Sequence, residues 1–215
     1  MKKLLLLTAV VCLMAPAAWA LTGIYGWEDC GTVLGTYPND GTGITCTSVT
    51  DRAHTGTHSL YVVRTHATIT TQAYVAWIKG LVTGDVVTGI FWAYDTTAGT
   101  GAYPSVRIWA HYCDSVNPNS YVSSASGSAD YSGVPLGWGT VPNAAAYSWT
   151  FNNATATALM IEVRSYGYTA PLNGVWIDDI EVTAPTRGGV EIVFPAPGPS
   201  AVEPSTWGSI KALYQ

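Results

Sequence analysis

Apolar and polar positions alternate with a period of two over much of the chain between Ile44 and Ile192. Short runs rich in β-branched and aromatic residues are separated by clusters of Gly, Pro, Asn, Asp and Ser, which is typical of strands joined by turns. No helical period interrupts these runs, and no repeat of about 20 to 50 residues is visible. The pattern predicts strands at residues 44–50, 59–66, 70–78, 85–94, 105–113, 145–151, 157–166 and 174–183.

Eight or more such strands indicate an all-β protein. Because a single sheet with two exposed faces could not bury this much apolar surface, the strands must close into a two-sheet antiparallel sandwich or a barrel. The interior stretch 114–139, rich in Ser, Asn, Pro and Gly, is the most loop-like region, and its length makes it a candidate functional loop.

The alternation gives two predicted strands a polar and aromatic face. In 105–113 this face carries an arginine, a tryptophan and a histidine, and in 157–166 it carries a methionine, a glutamate, an arginine and a tyrosine. Pyranose rings stack their apolar C–H faces on aromatic side chains, and neighbouring polar groups bind their hydroxyls. The candidate ligand-binding residues are Arg107, Trp109, Arg164 and Tyr166, with Trp92 as a weaker candidate that the pattern equally allows to face the core.

The N-terminus has the features of a secretory signal. Lys2 and Lys3 precede an apolar run over residues 4–11, and Ala18 and Ala20 form a small-x-small cleavage site. The apolar run is shorter than the roughly 20 residues that span a bilayer, so we predict cleavage after Ala20 rather than membrane insertion. The expected location is secreted, extracellular or cell-surface.

The character of the chain changes after the predicted β-rich domain, 21–184. Residues 185–204 comprise a possible last strand, 190–194, and a Pro-rich linker. Residues 205–215 form a short amphipathic tail. This tail either docks on the domain or stays free, or it is a handle for secretion, sorting or self-association.

Composition excludes several classes of protein. Charged residues make up 11% and aromatic residues 12% of the chain, which argues against disorder and against a helical bundle. The net charge is −5, and the predicted signal removes two of the nine basic residues, so a nucleic acid or an anionic membrane is disfavoured as a partner. Motifs of hydrolases, zincins and nucleotide-binding proteins are absent, and we predict a non-enzymatic protein.

Three cysteines remain once Cys12 leaves with the signal. An exported protein folds in an oxidising compartment, where Cys30 and Cys46 flank a turn-rich stretch and can pair in a disulfide. The alternative is three small buried thiols. An odd number also leaves one cysteine, such as Cys113, for a bond between chains.

Acidic residues cluster near the two ends of the predicted domain. Glu28 lies before its first predicted strand, and Asp178 and Asp179 lie in its last. If these segments are neighbours, the carboxylates can meet around a Ca²⁺ ion together with backbone carbonyls. The alternative is that they are solvated strand ends. His54 and His58, four residues apart in a turn-rich segment, are interpreted as loop residues rather than metal ligands.

Four motifs occur in the order found in one known family. They are Gly-Trp-Glu-Asp at 26–29, the segment 51–62 with its His-Ser-Leu run, Gly-Leu-Val-Thr-Gly-Asp at 80–85, and Trp-Ile-Asp-Asp-Ile-Glu-Val at 176–182. Over about residues 24–184 the chain resembles the galactose-binding-like β-jelly-roll carbohydrate-binding modules appended to cellulases and xylanases. The resemblance implies a jelly-roll sandwich, a glycan partner and a structural calcium held by Glu28 and Asp178. The sequence departs from the family at Asp29-Cys30, where a glycine is more usual.

The leading hypothesis is a secreted, non-catalytic glycan-binding module with a structural calcium. The alternative is a structural or adhesive surface-assembly protein built on the same sandwich, with Cys113 or the tail around Trp207 joining subunits. A small glycan-cleaving enzyme would instead require two acids that face each other across an aromatic-lined groove.

Overall fold

The computed structural model describes residues 20–95, 106–131, 137–141, 147–166 and 174–199. Within these ranges the chain is built from β-strands, and no helix there is long and apolar enough to cross a membrane. The strands are β1 (Ala20–Tyr25), β2 (Gly35–Tyr37), β3 (Ile44–Val49), β4 (Ser59–Arg64), β5 (Thr71–Lys79), β6 (Val86–Asp95), β7 (Val106–Cys113), β8 (Ser123–Ser124), β9 (Ala129–Asp130), β10 (Trp138–Val141), β11 (Tyr147–Thr150), β12 (Ala158–Ser165), β13 (Val175–Pro185) and β14 (Glu191–Val193).

The strands form two antiparallel sheets of seven strands each. Sheet A has the order β10-β6-β13-β4-β3, with β1 paired to the second half of β13 and β11 to the first half of β6. Sheet B has the order β14-β5-β12-β7-β8, with β2 paired to β5 and β9 to β7. The predicted all-β, two-sheet sandwich is confirmed.

The core lies between the inner faces of the two sheets. Its largest fully buried side chains include Trp27, Trp149, Phe91, Phe151 and Leu60. Burial of each such side chain contributes about 1.5 to 3 kcal/mol. The alternation predicted for two strands is also confirmed, because the apolar sets of β7 and β12 belong to this core. The arginine-bearing sets therefore lie on the outer face of sheet B.

A β-bulge in β13 sets the position of the acidic pair. The pairing of β13 with β6 shifts register between Asp178 and Glu181, and Asp179 has a positive φ of 47°. The inward-facing positions change phase there, so that Ile177 and Ile180 both enter the core. Asp178 pairs with Trp92 and lies on the outer side of sheet A.

All eight predicted strands are present, and no end differs by more than two residues. The pattern missed β1, β2, β8, β9 and β10, most of which have four residues or fewer and show too little alternation to detect. The stretch 114–139, predicted to be a loop, contains β8, β9 and the start of β10. The possible last strand is β14, which extends the sandwich past residue 184 by pairing with β5.

The termini bear on the predicted boundaries. β1 begins at Ala20, the last residue of the predicted signal. The Pro-rich segment packs against the domain where it is described, because Gly198 N donates to Asp29 O at 3.0 Å. Residues 1–19 and 200–215 lie outside the described residues, so the signal and the tail stay predictions.

Candidate functional site

The outer face of sheet B brings four of the predicted ligand-binding residues together. β7 and β12 are neighbours, and their register places Arg107 opposite Arg164 and Trp109 opposite Glu162. Tyr166 follows β12 directly. A cross-strand pair lies about 5 Å apart, so the four side chains form one compact patch.

Cation–π contacts hold this patch together. The Arg164 guanidinium carbon lies 3.7 Å from the centroid of the Trp109 ring. The guanidinium carbon of Arg107 lies 5.1 Å from the ring of Tyr166 and 5.8 Å from that of Trp109. Arg107 Nη1 also donates to the Tyr166 hydroxyl at 3.3 Å. Such contacts fix the orientation of aromatic rings at a surface.

Arg107 has a carboxylate partner on a strand that the sequence did not reveal. It donates from Nε and Nη2 to the two carboxylate oxygens of Asp130, the second bond measuring 3.0 Å. Asp130 lies in β9, opposite Arg107 in the register. The hydrogen bond that Arg107 donates to Asp130 raises the pKa of Arg107 above its usual value. This bidentate pair fixes the guanidinium plane.

A buried hydrogen-bonded pair lies beneath the patch. Glu162 and His111 are fully buried, and Glu162 Oε1 lies 2.8 Å from His111 Nδ1. Arg164 Nε donates to Glu162 Oε2 at 3.1 Å. The Glu162 carboxylate thus connects His111 to the guanidinium that stacks on Trp109. The sequence placed both residues on this face but gave them no role.

Two tyrosines flank the imidazole of His111. The ring of Tyr74 lies 5.0 Å from it and that of Tyr121 lies 5.4 Å from it, measured between centroids. Burial, followed by the nearby Glu162 charge, raises the pKa of Tyr74. Tyr121 is 62% exposed and extends the aromatic surface into the loop after β7.

Trp92, the fifth candidate, lies on the other sheet. It projects from β6 on the outer face of sheet A, where the His54 ring stacks on it with centroids 3.9 Å apart and planes 14° apart. Trp138 meets the same imidazole edge-on at 5.6 Å. The structure therefore does not bring Trp92 together with the other four candidates.

An aromatic row crosses sheet A beside Trp92. Tyr61, Trp176, Tyr94 and Trp138 are successive partners across four strands. The Arg52 guanidinium lies over two of these rings, 4.4 Å from the centroid of Tyr94 and 4.9 Å from that of Trp176. Because Tyr94 and Trp176 are buried, this row acts as a second packing layer under the segment between β3 and β4.

The acidic residues predicted to bind calcium hold that same segment. Asp178 Oδ2 accepts from the backbone N–H groups of His54 at 2.7 Å and Thr55 at 3.3 Å. Glu28 Oε1 accepts from Thr57 N and His58 N, each at 2.8 Å. The segment that carries Glu28 and the strand that carries Asp178 therefore lie beside one loop, which is the condition stated above for a shared calcium site.

The donor set agrees in part with a calcium site. Both residues offer hard carboxylate oxygens. Burial raises the pKa of Asp178 to about 6, and the hydrogen bonds from the backbone N–H groups of His54 and Thr55 act in the opposite direction. Among the described residues, no group of three or more His, Cys, Asp or Glu side chains is placed to hold a metal. A calcium ion at Glu28 and Asp178 would draw its other ligands from backbone carbonyls or water.

The described cysteines are free thiols, and the structure does not form the predicted Cys30–Cys46 bond. Cys30 Sγ lies 3.5 Å from His58 Nε2, whereas Cys46 lies in β3. Burial raises the pKa of both Cys46 and Cys113 to about 12. The alternative of small buried thiols is observed for Cys113, whereas Cys46 is partly buried against the core.

The chain is similar to solved carbohydrate-binding β-sandwich modules. The CBM22-1 xylan-binding domain of Paenibacillus barcinonensis Xyn10C is 12% identical and aligns over 77% of this chain and 95% of its own, with a TM-score of 0.46. The CBM22-1–GH10 modules of Clostridium thermocellum xylanase 10B, complexed with xylohexaose, are 16% identical over 74% of this chain and 27% of their own, with a TM-score of 0.43.

A further similar structure is the K2 cleaved adhesin domain of Lys-gingipain, which is 14% identical over 75% of this chain and 99% of its own, with a TM-score of 0.42. No family model matches the chain, and neither does any curated protein. Function therefore has to be argued from the site.

Proposed function

We propose that this protein is a secreted, non-catalytic module that binds a glycan on the outer face of sheet B. The observation that carries the proposal is the convergence of Trp109, Tyr166, Arg107 and Arg164 in one patch. Aromatic rings beside guanidinium donors match the two requirements of sugar recognition, which are apolar C–H contact and hydrogen bonds to hydroxyls.

The charge of the patch favours an uncharged glycan. Arg107 is paired with Asp130, and Arg164 with Glu162. Because each guanidinium has a carboxylate partner, the patch has no net positive field to attract polyanions.

The test compares two tryptophans on opposite sheets. The wild-type chain, Trp109→Ala and Trp92→Ala are run through affinity gels that contain soluble xylan, glucan, mannan or polygalacturonate. We expect at least one neutral polysaccharide to retard the wild type and Trp92→Ala, while Trp109→Ala loses most of the retardation. Equal retardation of both variants, or retardation by polygalacturonate alone, would contradict the proposal.

We also propose a structural calcium at Glu28 and Asp178. When bound, the cation would stabilise the segment 54–58 against the last strand, because both carboxylates contact that segment. Calcium should raise the melting temperature of the wild type above its value in chelator, and it should raise that of Glu28→Gln much less. The matched control is Glu191→Gln, an exposed acid on β14. A rise of the same size in Glu28→Gln and Glu191→Gln would refute the site.

Export is the remaining part of the proposal, and it rests on the sequence of residues 1–20. When the full chain is expressed with its own N-terminus in a secreting host, the exported protein should begin at Leu21. Retention in the cytoplasm, or an exported chain that begins at Met1, would refute it.

A further inference from the structure

Strand β3 lies at an edge of sheet A and has one neighbour among the described strands. It pairs with β4 in continuous antiparallel register over its six residues, from Ile44 opposite Arg64 to Val49 opposite Ser59. Its other side faces away from the sheet. The edge of a strand presents backbone N–H and C=O groups that can pair with a further strand.

The register identifies the backbone groups on this free side. Thr65 N donates to Gly43 O at 2.8 Å, so the odd-numbered residues of β3 are the ones that bond to β4. In an antiparallel ladder, the alternate residues direct their N–H and C=O groups away from the paired strand. Ile44, Cys46 and Ser48 therefore present their backbone donors and acceptors at the free edge.

The other outer strands of the described sandwich are short or covered. In sheet B, β14 has three residues and β8 has two, and in sheet A, β10 and β11 have four each. β1 has six residues, but the segment after β14 packs against it, with the Phe194 ring stacked on Tyr25 at 5.4 Å. Native proteins protect long edges with charged residues, proline or bulges, and the Ile-Thr-Cys-Thr-Ser-Val sequence of β3 has none of these.

The side chains of β3 suit pairing with an identical strand. Ile44 is buried in the core and Cys46 packs against it, whereas Thr45 and Thr47 are exposed on the outer face of sheet A. When Cys46 lies opposite the partner's Cys46 in an antiparallel pair, Ile44 lies opposite the partner's Ser48 and Thr45 opposite the partner's Thr47. All the free backbone groups then bond, the core-facing sides stay aligned, and two Thr–Thr pairs form.

Charge favours a second copy as the occupant of this edge. The chain has a net charge of −5, so two copies repel each other in most orientations. β3 has no charged residue, so no like charges meet when it pairs with itself. A two-fold pairing also occupies the long uncovered edge of both copies at once, so the assembly closes as a dimer and does not grow into a filament.

We propose that β3 is a self-association surface, at which two copies of this chain join their A sheets into one continuous antiparallel sheet. The two-fold axis passes beside Cys46. The proposal does not depend on the proposed function, because the Trp109 patch lies on the outer face of sheet B.

Two measurements on the mature chain test the proposal. Sedimentation equilibrium should show a monomer that becomes a dimer, and no larger species, as the concentration rises. Amide hydrogen exchange, followed by NMR below and above this transition, should slow on dimerisation at Ile44, Cys46 and Ser48. The amides of Thr45 and Thr47, which bond to β4 in both states, are the internal control and should be protected at both concentrations.

Charges placed on the outer face of β3 test the pairing of the strand with itself. The double variant Thr45→Lys/Thr47→Lys sets like charges opposite each other and should weaken dimerisation roughly tenfold or more. Thr45→Glu/Thr47→Glu should do the same, and an equimolar mixture of the two variants should form a heterodimer. Thr22→Lys/Ile24→Lys, at two exposed positions on β1, is the matched control and should dimerise as the wild type does.

The melting temperatures of these variants show that each is folded. Three results would each overturn the proposal: a wild type that stays monomeric at every concentration, a dimer that the paired lysines on β3 leave unchanged, or Lys and Glu variants that do not associate when mixed. Slow exchange at Ile44, Cys46 and Ser48 in the dilute monomer would overturn it as well, because the edge would then be covered by another part of the same chain, such as the tail. No sugar enters these experiments, so their failure leaves the proposed function standing.

Discussion

Replacement of Glu162 by Gln tests how much the buried Glu162–Arg164 ion pair contributes to the fold. Glu162 is fully buried and its two oxygens contact His111 and Arg164. The substitution keeps the shape but replaces one acceptor by an amide donor, which then faces a donor on Arg164 or the imidazole. It also leaves the Arg164 charge without this carboxylate in a partly buried position.

The expected loss follows from the burial of these groups. Removal of one partner from a buried ion pair costs about 3 to 5 kcal/mol. Because Gln keeps one hydrogen bond, we expect the lower end, about 3 kcal/mol, which corresponds to a fall in melting temperature of about 6 to 12 °C for a domain of this size. The matched control is Asp130→Asn, whose side chain is 45% exposed in its pair with Arg107. An exposed pair contributes about 0 to 1 kcal/mol.

Urea denaturation monitored by tryptophan fluorescence measures both variants, with equal m-values as the condition for comparing their free energies of unfolding. Equal losses in Glu162→Gln and Asp130→Asn would refute the reasoning, because burial would then make no difference to the pair. A gain in stability in Glu162→Gln would refute it as well.

Two further predictions concern titrating groups. Hydrogen bonds from Arg187 hold the pKa of Asp85 below its usual value, so this pair stabilises the fold above about pH 4, and the contribution is lost as the pH falls. The variant Arg187→Gln should therefore flatten the acid side of the curve of stability against pH. An unchanged curve would count against a stabilising role of the pair. In the native protein at pH 8, a disulfide reagent should label Cys30 first, and it should label Cys46 and Cys113 only after denaturation. The reason is that burial raises the pKa of those two thiols to about 12. Mass spectrometry that finds all three cysteines labelled at one rate would contradict this prediction.

The alternation of β7 and β12 was enough to assign their faces, because eight-residue strands that bury one side leave a clear period of two. Their pairing partners were not predictable, since register depends on the whole sandwich. This is why the sequence grouped Trp92 with Trp109: alternation gives the face of a strand but not the sheet to which the strand belongs.

Other parts of the site left little or no trace in the sequence. Asp130 lies in β9, a strand of two residues that shows no period. The His54 ring covers Trp92, and Asp179 Oδ2 lies 2.5 Å from its Nδ1, a contact across 125 residues that only the folded chain brings together. The proximity of Glu28 and Asp178 to one loop was predictable, because the motif resemblance implied that the first and last parts of the domain meet.

The most direct test of the central claim is the contact between sugar and ring. With the neutral oligosaccharide that binds most tightly in the affinity screen, intermolecular nuclear Overhauser effects are measured between the sugar C–H protons and the tryptophan and tyrosine ring protons. The account predicts contacts to the rings of Trp109 and Tyr166. Contacts only to Trp92 and Trp138, on the other sheet, would contradict it.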